Sequence, residues 1–352
     1  MIGRFLYINA LAVLVACGLM PTPCQSSMAD IHAITVYLFD GTLGRADLDP
    51  YLIANLPAIK DAGFNAIYLP AIWADFDPSP MMKPRTYNAA AFRNARSALA
   101  LIRAAGLKAL VGLNYVGVGF APDFGTALPA KEACNWAVTP AVYAAFEEYV
   151  TAFMSRLTAD SDIMSLMVFT ESAEGCGHAT KDAARAVADQ LQETIGSLPS
   201  RLPGALRTKW NIGYHDYSIV NLGWGNGVGP IALPIEFNFI SMVAYNVTSV
   251  AELDARVKRF STLYPNEPLI IGEMGANGCD DESAQATTDA RLVAYAVAHG
   301  YGFNLWGWVA GGGAPDAAAQ ECSNPNYGGL SINNPDGSPR QAKQAVKAAL
   351  KQ

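Results

Sequence analysis

The sequence of 352 residues predicts a single (β/α)8 barrel, and three features of its pattern support this fold class. Short apolar segments recur near residues 33–39, 65–70, 108–115, 163–169, 207–214, 238–245, 268–272 and 302–307. These segments are mostly continuous in their apolar character, as expected for strands of a parallel sheet that is buried on both faces. Helical periods separate them, and no dinucleotide fingerprint supports the alternative of a doubly wound sheet.

Helices are predicted at about residues 139–158, 180–196, 249–263, 285–299 and 339–351. For the last helix, Ser338 is the predicted cap and Pro339 fits the first turn. Residues 215–237 lie between strands five and six and are rich in glycine and proline. The fifth helix of the barrel is therefore predicted to be short or missing. No linker divides residues 30–352, which indicates one domain.

Residues 1–29 predict a signal peptide, because Arg4 precedes an apolar stretch over residues 5–20 that is short for a membrane span. Two processing sites remain open. The sequence L-V-A-C ends at Cys17 and is typical of a lipobox, which would make Cys17 a lipidated N-terminus. The sequence S-M-A ends at Ala29, and cleavage there would release a soluble protein that starts at Asp30. Either way we expect an exported protein that is secreted, periplasmic or lipid-anchored at the cell envelope.

The composition excludes several classes of function. Half of the sequence is hydrophobic (51%) and 16% is charged, which suits a large packed core. The formal charge of −7, with no basic run, argues against binding of nucleic acid. The histidines show no metal-ligand spacing. Asp280-Asp281-Glu282 could hold calcium, but a solvated acidic loop is the favoured interpretation, so no metal and no cofactor are predicted.

Active sites of such barrels form at the carboxyl ends of the strands. Two predicted strands lead from an apolar run to a glutamate one residue beyond it: Glu171 in M-V-F-T-E and Glu273 in L-I-I-G-E-M-G. Polar or aromatic residues also stand at the other ends, namely Asp40, Trp73, Asn114, His215, Tyr245 and Trp306. His215-Asp216 could be a catalytic dyad, although a role in lining the cleft is favoured.

Two carboxylates that face each other across a cleft suit glycoside hydrolysis. One protonates the departing oxygen, and the other attacks the anomeric carbon or activates water. Aromatic side chains at the rim suit sugar rings, which stack on their faces. The expected partner is therefore an oligosaccharide or polysaccharide, and the protein is expected to be a monomer.

The region from about residue 32 to 350 resembles the clan A glycoside hydrolases, which are (β/α)8 barrels with catalytic glutamates after strands four and seven. The resemblance implies that Glu171 is the acid/base, that Glu273 is the nucleophile, and that the mechanism is retaining, with carboxyl groups about 5–5.5 Å apart. Tyr245, in M-V-A-Y-N, matches the strand-six tyrosine that hydrogen-bonds the nucleophile. Trp306, in N-L-W-G-W, matches the sugar platform after strand eight.

The sequence departs from this pattern at two positions. Thr170 stands where most of the clan has an asparagine that contacts the sugar 2-hydroxyl, and this threonine resembles family 113, the β-mannanase-like branch, more than the cellulase-like family 5. No arginine ends strand two, and Arg85 lies in the loop beyond it. The expected substrate-binding residues are Asp40, Trp73, Asn114, Thr170, His215, Tyr245 and Trp306. A carbohydrate-binding barrel without catalysis is the alternative hypothesis.

Four cysteines follow the signal segment, in the loops after strands three, four, seven and eight. Export permits disulfides, and neighbouring loops lie within reach of each other. The predicted pairs are Cys134–Cys176 and Cys279–Cys322, one beside each candidate catalytic glutamate.

Overall fold

The computed structural model describes residues 28–38, 42–114, 139–157, 164–170, 196–207, 210–216, 237–245, 247–265, 267–309 and 329–351. Of residues 114, 164–170, 216 and 263 it describes the backbone alone.

Eight parallel strands form a closed barrel in which each strand pairs with the next and the last pairs with the first. The strands are β1 (His32–Thr35), β2 (Ala66–Ala71), β3 (Lys108–Asn114), β4 (Met164–Thr170), β5 (Asn211–Asp216), β6 (Phe239–Tyr245), β7 (Leu269–Gly275) and β8 (Gly302–Leu305). The predicted barrel and its eight strands are confirmed. β5 begins at Asn211, a few residues later than predicted.

The strands carry two apolar faces, which explains their continuous apolar sequence. All six residues of β2 are buried. Ala66 and Tyr68 join a cluster inside the barrel. Ile67 and Leu69 join the larger cluster that the strands share with the surrounding helices. Gly112 on β3 leaves space for the Tyr68 phenol, because a Cβ on Gly112 would lie 2.0 Å from its hydroxyl oxygen.

In the described part of the chain six helices are longer than one turn, and they pack around the barrel. They are α1 (Leu48–Asp61), α2 (Ala89–Ala104), α3 (Pro140–Leu157), α4 (Val250–Leu263), α5 (Glu282–Ala298) and α6 (Gln341–Ala349). Trp73–Phe76, Leu198–Arg201 and Gly204–Arg207 form single turns. The predicted helix over 180–196 lies outside the described residues except for its last position, and the segment 217–236 lies outside them entirely.

Side chains fix several helix starts. The Asn88 side chain accepts hydrogen bonds from the first turn of α2, and Ser249 accepts one from Glu252 N in α4. Asp281 Oδ1 accepts bonds from the amides of Ser283 and Ala284, so this carboxylate of the acidic loop caps α5.

The predicted start of the last helix was wrong. α6 begins at Gln341, not next to Ser338. The Ser338 hydroxyl instead accepts a hydrogen bond from Asn334 Nδ2, 3.0 Å away, inside the preceding turn. The helix packs through an apolar stripe, since Ala342, Val346 and Ala349 are buried.

The floor of the barrel is closed by the residues that precede β1. Met28–Asp30 form one turn of 3-10 helix. Met28 is 8% exposed and belongs to the cluster inside the barrel, together with Ile31. Gly302 of β8 accommodates this turn, because a Cβ there would lie 2.0 Å from the Met28 carbonyl oxygen. The turn is therefore an integral part of the packed interior.

None of the helices in the described ranges is long and apolar enough to span a membrane. The predicted signal segment, with Arg4 and Cys17, lies outside those ranges.

Candidate active site

The carboxyl ends of β5 to β8 bring together four of the residues that the sequence singled out. His215 Nε2 on β5 lies 3.8 Å from Glu273 Oε1 on β7. The rings of Tyr245 and Trp306 meet edge to face with their centroids 6.2 Å apart. Glu273 is 3% exposed and His215 is fully buried, whereas Tyr245 and Trp306 are half-buried.

A bulge in β7 turns Glu273 into the barrel. Towards β6, Met242 pairs with Ile271 and Val243 pairs with Glu273, so that Gly272 is an extra residue. Towards β8 the register also shifts between Ile271 and Met274. Regular alternation would place Gly272 inward and Glu273 outward, whereas the bulge lets both face the interior. A strand that packs against helices on its outer face thereby delivers a carboxylate to its inner face.

Gly272 is required by its neighbours. A Cβ at this position would lie 1.6 Å from Ser241 Oγ and 2.9 Å from His215 Nδ1. Ser241 lies on β6 and is fully buried, and its hydroxyl oxygen is 2.6 Å from His215 Nδ1. The missing side chain of Gly272 therefore makes room for a hydrogen bond directly beneath the carboxylate.

Burial sets the charge state of the histidine. Desolvation lowers the pKa of His215 to about 3, so the imidazole is neutral at ordinary pH. A neutral ring carries one N–H, which can face either Ser241 or Glu273. Such a ring orients and hydrogen-bonds without cancelling the charge of an ionised carboxylate.

A second buried polar group supports the bulge from the other side. Asn304 on β8 donates from Nδ2 to the Gly272 carbonyl oxygen, 2.8 Å away. The same amide exchanges hydrogen bonds with the Thr35 hydroxyl of β1, at 2.9 and 3.1 Å. The extra residue of the bulge is thus held through its backbone by Asn304 of β8, which Thr35 of β1 holds in turn.

Trp306 stands at the top of the interior with other aromatic rings around it. Its centroid lies 5.8 Å from that of Tyr37 and 6.4 Å from that of Tyr68. Gly307 then takes a positive φ of 132°, which interrupts the regular alternation of side chains. Trp308 consequently points outward, where it is buried and donates from Nε1 to Asn55 Oδ1 at 2.8 Å. Only the first of the two tryptophans faces the candidate site.

Trp73 does not have the predicted role at the cleft. It is fully buried, stacks on Tyr149 at 5.6 Å, and meets the edge of Phe146 at 5.2 Å. Its Nε1 donates to Asp77 Oδ2 at 3.0 Å. The reason is the short helix that starts at Trp73, which turns the indole outward beneath α3. Trp73 is a core residue between the barrel and this helix.

Arg85 is also held on the outside of the barrel. It is paired with Asp77 and, at 3.1 Å, with Glu148 of α3. Its Nη1 donates to the Ala145 carbonyl oxygen at 2.7 Å. These contacts hold the loop after β2 against α3. The guanidinium of Arg85 therefore binds groups outside the barrel and does not support Glu273.

The remaining predicted site residues are described in part or not at all. Asn114 and Thr170 are the last residues of β3 and β4, as predicted, and their backbone alone is described. Cys279 is disulfide-bonded, and the other cysteines lie outside the described residues, so both pairings stay predictions. The same holds for the roles of the other positions outside those residues, namely Asp40 and Glu171.

Ser241, Asn304 and Thr35 were missed by sequence reasoning, although a signal was present. Each is a polar residue within an apolar strand, as in F-I-S-M-V-A-Y of β6 and G-F-N-L of β8. A buried polar residue needs a hydrogen-bond partner, and the inward face of a barrel near its mouth is where such partners meet.

No protein-family profile and no curated protein sequence matches the chain. Solved structures do resemble it. An endoglucanase of broad specificity from glycoside hydrolase family 5, from an uncultured bacterium, has a TM-score of 0.59 at 15% identity, over 84% of this chain and 83% of its own. A family 5 enzyme variant from Bifidobacterium longum, in complex with Manβ1-4GlcNAc, has a TM-score of 0.63 at 15% identity, over 92% and 78%.

The Cel5A protein of Thermotoga maritima, in complex with cellobiose, has a TM-score of 0.59 at 12% identity, over 90% of this chain and 97% of its own. At these identities the likeness concerns the fold. The whole described chain therefore shares the (β/α)8 architecture of these proteins.

Proposed function

We propose that the chain is a retaining β-glycoside hydrolase with Glu273 as nucleophile and Glu171 as acid/base. The observation that carries the proposal is the bulge that turns Glu273 from the helix-facing side of β7 into the barrel mouth. Bulges next to active sites commonly re-aim a side chain in this way. The similarity of the barrel to solved glycoside hydrolases supports the same assignment.

The proposed reaction is a double displacement. Glu273 attacks the anomeric carbon while Glu171 donates a proton to the departing glycosidic oxygen, and a glycosyl-enzyme ester forms. Glu171 then removes a proton from water, and the water oxygen displaces Glu273 from the sugar. Glu273 is 3% exposed, so little water surrounds the attacking oxygen before a sugar binds.

The proposed substrate is a β-glycan of the mannan or glucan type. The half-buried Trp306 and Tyr245 offer an aromatic surface of the kind on which sugar rings stack. Among the similar structures, one is an endoglucanase and another holds Manβ1-4GlcNAc. We further propose that Asp40, Asn114, Thr170 and His215 line the sugar site, and that Thr170 favours a mannose-type 2-hydroxyl, as in the family 113 enzymes it resembles.

The test is hydrolysis of mannan, xylan, cellulose and β-1,3-glucan by the parent and two variants. We expect Glu273→Gln to lower kcat/KM by about 10³-fold or more, because it removes the nucleophile. Glu171→Gln is expected to lower it by about 10²- to 10⁴-fold, since it removes the proton donor. Glu267→Gln is the matched control, because Glu267 precedes β7 at the opposite end of the barrel, and it is expected to leave activity unchanged.

The outcome separates this proposal from a binding protein. A parent that binds one of these glycans without hydrolysing any of them would refute the enzyme and support the carbohydrate-binding alternative. The anomeric configuration of the first product, followed by NMR, tests retention. An inverted product, or carboxyl groups about 9 Å apart, would exclude a double displacement.

We also propose that the protein is an exported monomer, either soluble or held by a lipid on Cys17. The disulfides Cys134–Cys176 and Cys279–Cys322 would then brace the loops beside the two glutamates. A peptide map of the oxidised protein tests the pairs, and a peptide that joins Cys134 to Cys279 would contradict them.

A further inference from the structure

The Ser241 hydroxyl is linked to the candidate nucleophile through His215. Its Oγ is 2.6 Å from His215 Nδ1, and the other ring nitrogen of His215 is 3.8 Å from Glu273 Oε1. Ser241 and His215 are both fully buried. The three residues therefore form a line from β6 through β5 to β7, in which the imidazole connects a hydroxyl to a carboxylate.

The position of the single imidazole proton determines whether His215 stabilises or destabilises the negative charge of Glu273. If His215 carries its proton on Nδ1, the proton faces Ser241, and the Nε2 lone pair faces the oxygen of Glu273. Two electron-rich atoms then oppose each other in a site of low polarity, which disfavours the ionised carboxylate. If the proton is on Nε2, the N–H dipole points towards Glu273 and stabilises its charge.

The hydroxyl of Ser241 selects between these two tautomers. With a bare Nδ1, the Ser241 O–H has an acceptor at 2.6 Å. With Nδ1–H, the Ser241 oxygen becomes the acceptor and its own proton needs another partner. Among the described residues the Ser241 hydroxyl makes no other hydrogen bond. A buried hydroxyl proton without an acceptor is costly, so the hydroxyl favours Nε2–H.

We propose that Ser241 is a positioning residue that holds His215 as the Nε2–H tautomer, with its N–H directed at Glu273. Gly272 belongs to the same device, because any side chain there would occupy the position of the Ser241 hydroxyl. The catalytic consequence rests on the proposed function, but the tautomer does not. His215 transfers no proton in this proposal; it keeps Glu273 ionised and fixes the direction of one of its oxygens.

The separation of 3.8 Å between His215 Nε2 and Glu273 Oε1 is longer than a hydrogen bond. Hydrogen bonds of catalytic groups are often long before the substrate binds and tighten in the complex. We therefore expect the N–H of His215 and the carboxylate of Glu273 to approach each other when a sugar occupies the site.

The first test is the ring-nitrogen spectrum of the protein labelled with nitrogen-15, which distinguishes protonated from bare imidazole nitrogens. The sequence holds four histidines, so the spectrum is simple, and His215→Gln identifies the signals that belong to His215. The parent is expected to show Nε2–H at His215. An Nδ1–H tautomer in the parent would overturn the proposal without any variant of Ser241.

The second test is the same spectrum of Ser241→Ala, which is expected to lose the preference for Nε2–H. Ser241→Thr keeps the hydroxyl and is expected to retain it. Thr35→Val is the matched control, because it removes a buried hydroxyl that bonds Asn304 and not His215. Unchanged His215 signals in Ser241→Ala would overturn the proposal.

The third test is kinetic and uses the active parent. Ser241→Ala is expected to lower kcat/KM by about 10- to 100-fold. This range corresponds to loss of the hydrogen bond from His215 Nε2–H to the charged carboxylate of Glu273. In the His215→Gln background the same substitution is expected to have no further effect, because no tautomer remains to be selected. An equal loss in both backgrounds would show that Ser241 acts through packing.

The two failures are distinguishable. If the parent hydrolyses no glycan, the proposed function fails, and the tautomer of His215 is still measured by NMR. If the parent is active and Ser241→Ala changes neither the tautomer nor the rate, the role of Ser241 fails alone.

Discussion

Gly272 lies in the candidate site at a position with no space for a side chain. A Cβ there would lie 1.6 Å from Ser241 Oγ. We expect Gly272→Ala to lower the free energy of unfolding by about 1–3 kcal/mol, because a methyl group is forced into a filled space. The displaced bulge should also move Glu273 and remove most of the activity. Urea unfolding and the hydrolysis assay measure the two effects.

Two further variants make the prediction for Gly272 specific. Gly204→Ala is the control, since the nearest atom to a Cβ there is 3.9 Å away, and alanine suits a helix. It is expected to be neutral or slightly stabilising. Adding Ser241→Ala to Gly272→Ala should recover part of the lost stability by removing the clashing oxygen. Equal stability of Gly272→Ala and the parent would contradict this account.

Which residues could be recognised from the sequence depended on where they lie in their strands. Glu273, His215, Tyr245 and Trp306 stand at strand ends, where the order of the chain alone places them at the barrel mouth. Ser241 lies within its strand, and whether it points inward depends on register. That Glu273 itself points inward depends on the bulge at Gly272, which no residue pattern in L-I-I-G-E-M-G requires.

Helix α5 carries a buried carboxyl group that links it to β7, the strand of Glu273. Asp289 Oδ1 accepts a hydrogen bond of 2.8 Å from the amide of Ala276, the residue after β7. Asp289 Oδ2 is buried without a partner among the described residues. Burial raises the pKa of Asp289 to about 8, so the folded protein holds this group protonated at neutral pH.

This carboxyl group predicts a dependence of stability on pH. Between the unfolded pKa of about 3.9 and the folded pKa, the folded state binds one more proton than the unfolded state. Its contribution to stability is therefore greatest at low pH and is lost as the pH rises towards about 8. The slope is at most about 1.4 kcal/mol per pH unit. Urea unfolding at pH 5, 6.5 and 8 measures it.

Asp289→Asn removes the titration and keeps an oxygen for the Ala276 amide. We expect the variant to gain stability over the parent as the pH rises from 5 to 8. Asp280→Asn, at an exposed position of the preceding loop, is the control and should follow the parent at each pH. A constant difference between Asp289→Asn and the parent across this range would refute the buried-acid account.

Whole elements were easier to predict than their ends. The spacing of apolar residues indicates which positions are buried, and this spacing differs between strands and helices. The start of α6 was misjudged because Ser338 suits a cap and a turn equally well, and its hydroxyl is used by Asn334 in the turn. Trp73 was misjudged because a four-residue helix at the end of β2 leaves no periodic signal in the sequence.

At the scale of the whole molecule, the closed barrel has two ends, and different kinds of residue occupy them. The mouth carries the polar and aromatic residues of the candidate site. The floor is filled by Met28 and Ile31, which pack against inward residues of the strands. The predicted cleavage after Ala29 would remove Met28 from this floor, whereas processing at Cys17 would keep it.

We therefore predict that Met28 is needed for stability and is retained in the mature protein. Met28→Ala is expected to lower the free energy of unfolding by about 2 kcal/mol or more, because a methionine at 8% exposure leaves a cavity in the barrel floor. Met82→Ala makes the same chemical change at 65% exposure and should alter stability by less than about 0.5 kcal/mol.

If the chain is exported as proposed, the mass of the mature protein distinguishes the two processing sites. A mature chain that includes Met28 agrees with its place in the floor, and a lipid on Cys17 would add to that mass. A chain that begins at Asp30 and unfolds at the same urea concentration as one that begins at Met28 would show that the barrel closes without this residue. The burial of Met28 argues against that outcome. Without Met28 a cavity would remain in the barrel floor, because strands that stay paired in a closed barrel cannot move together to fill it.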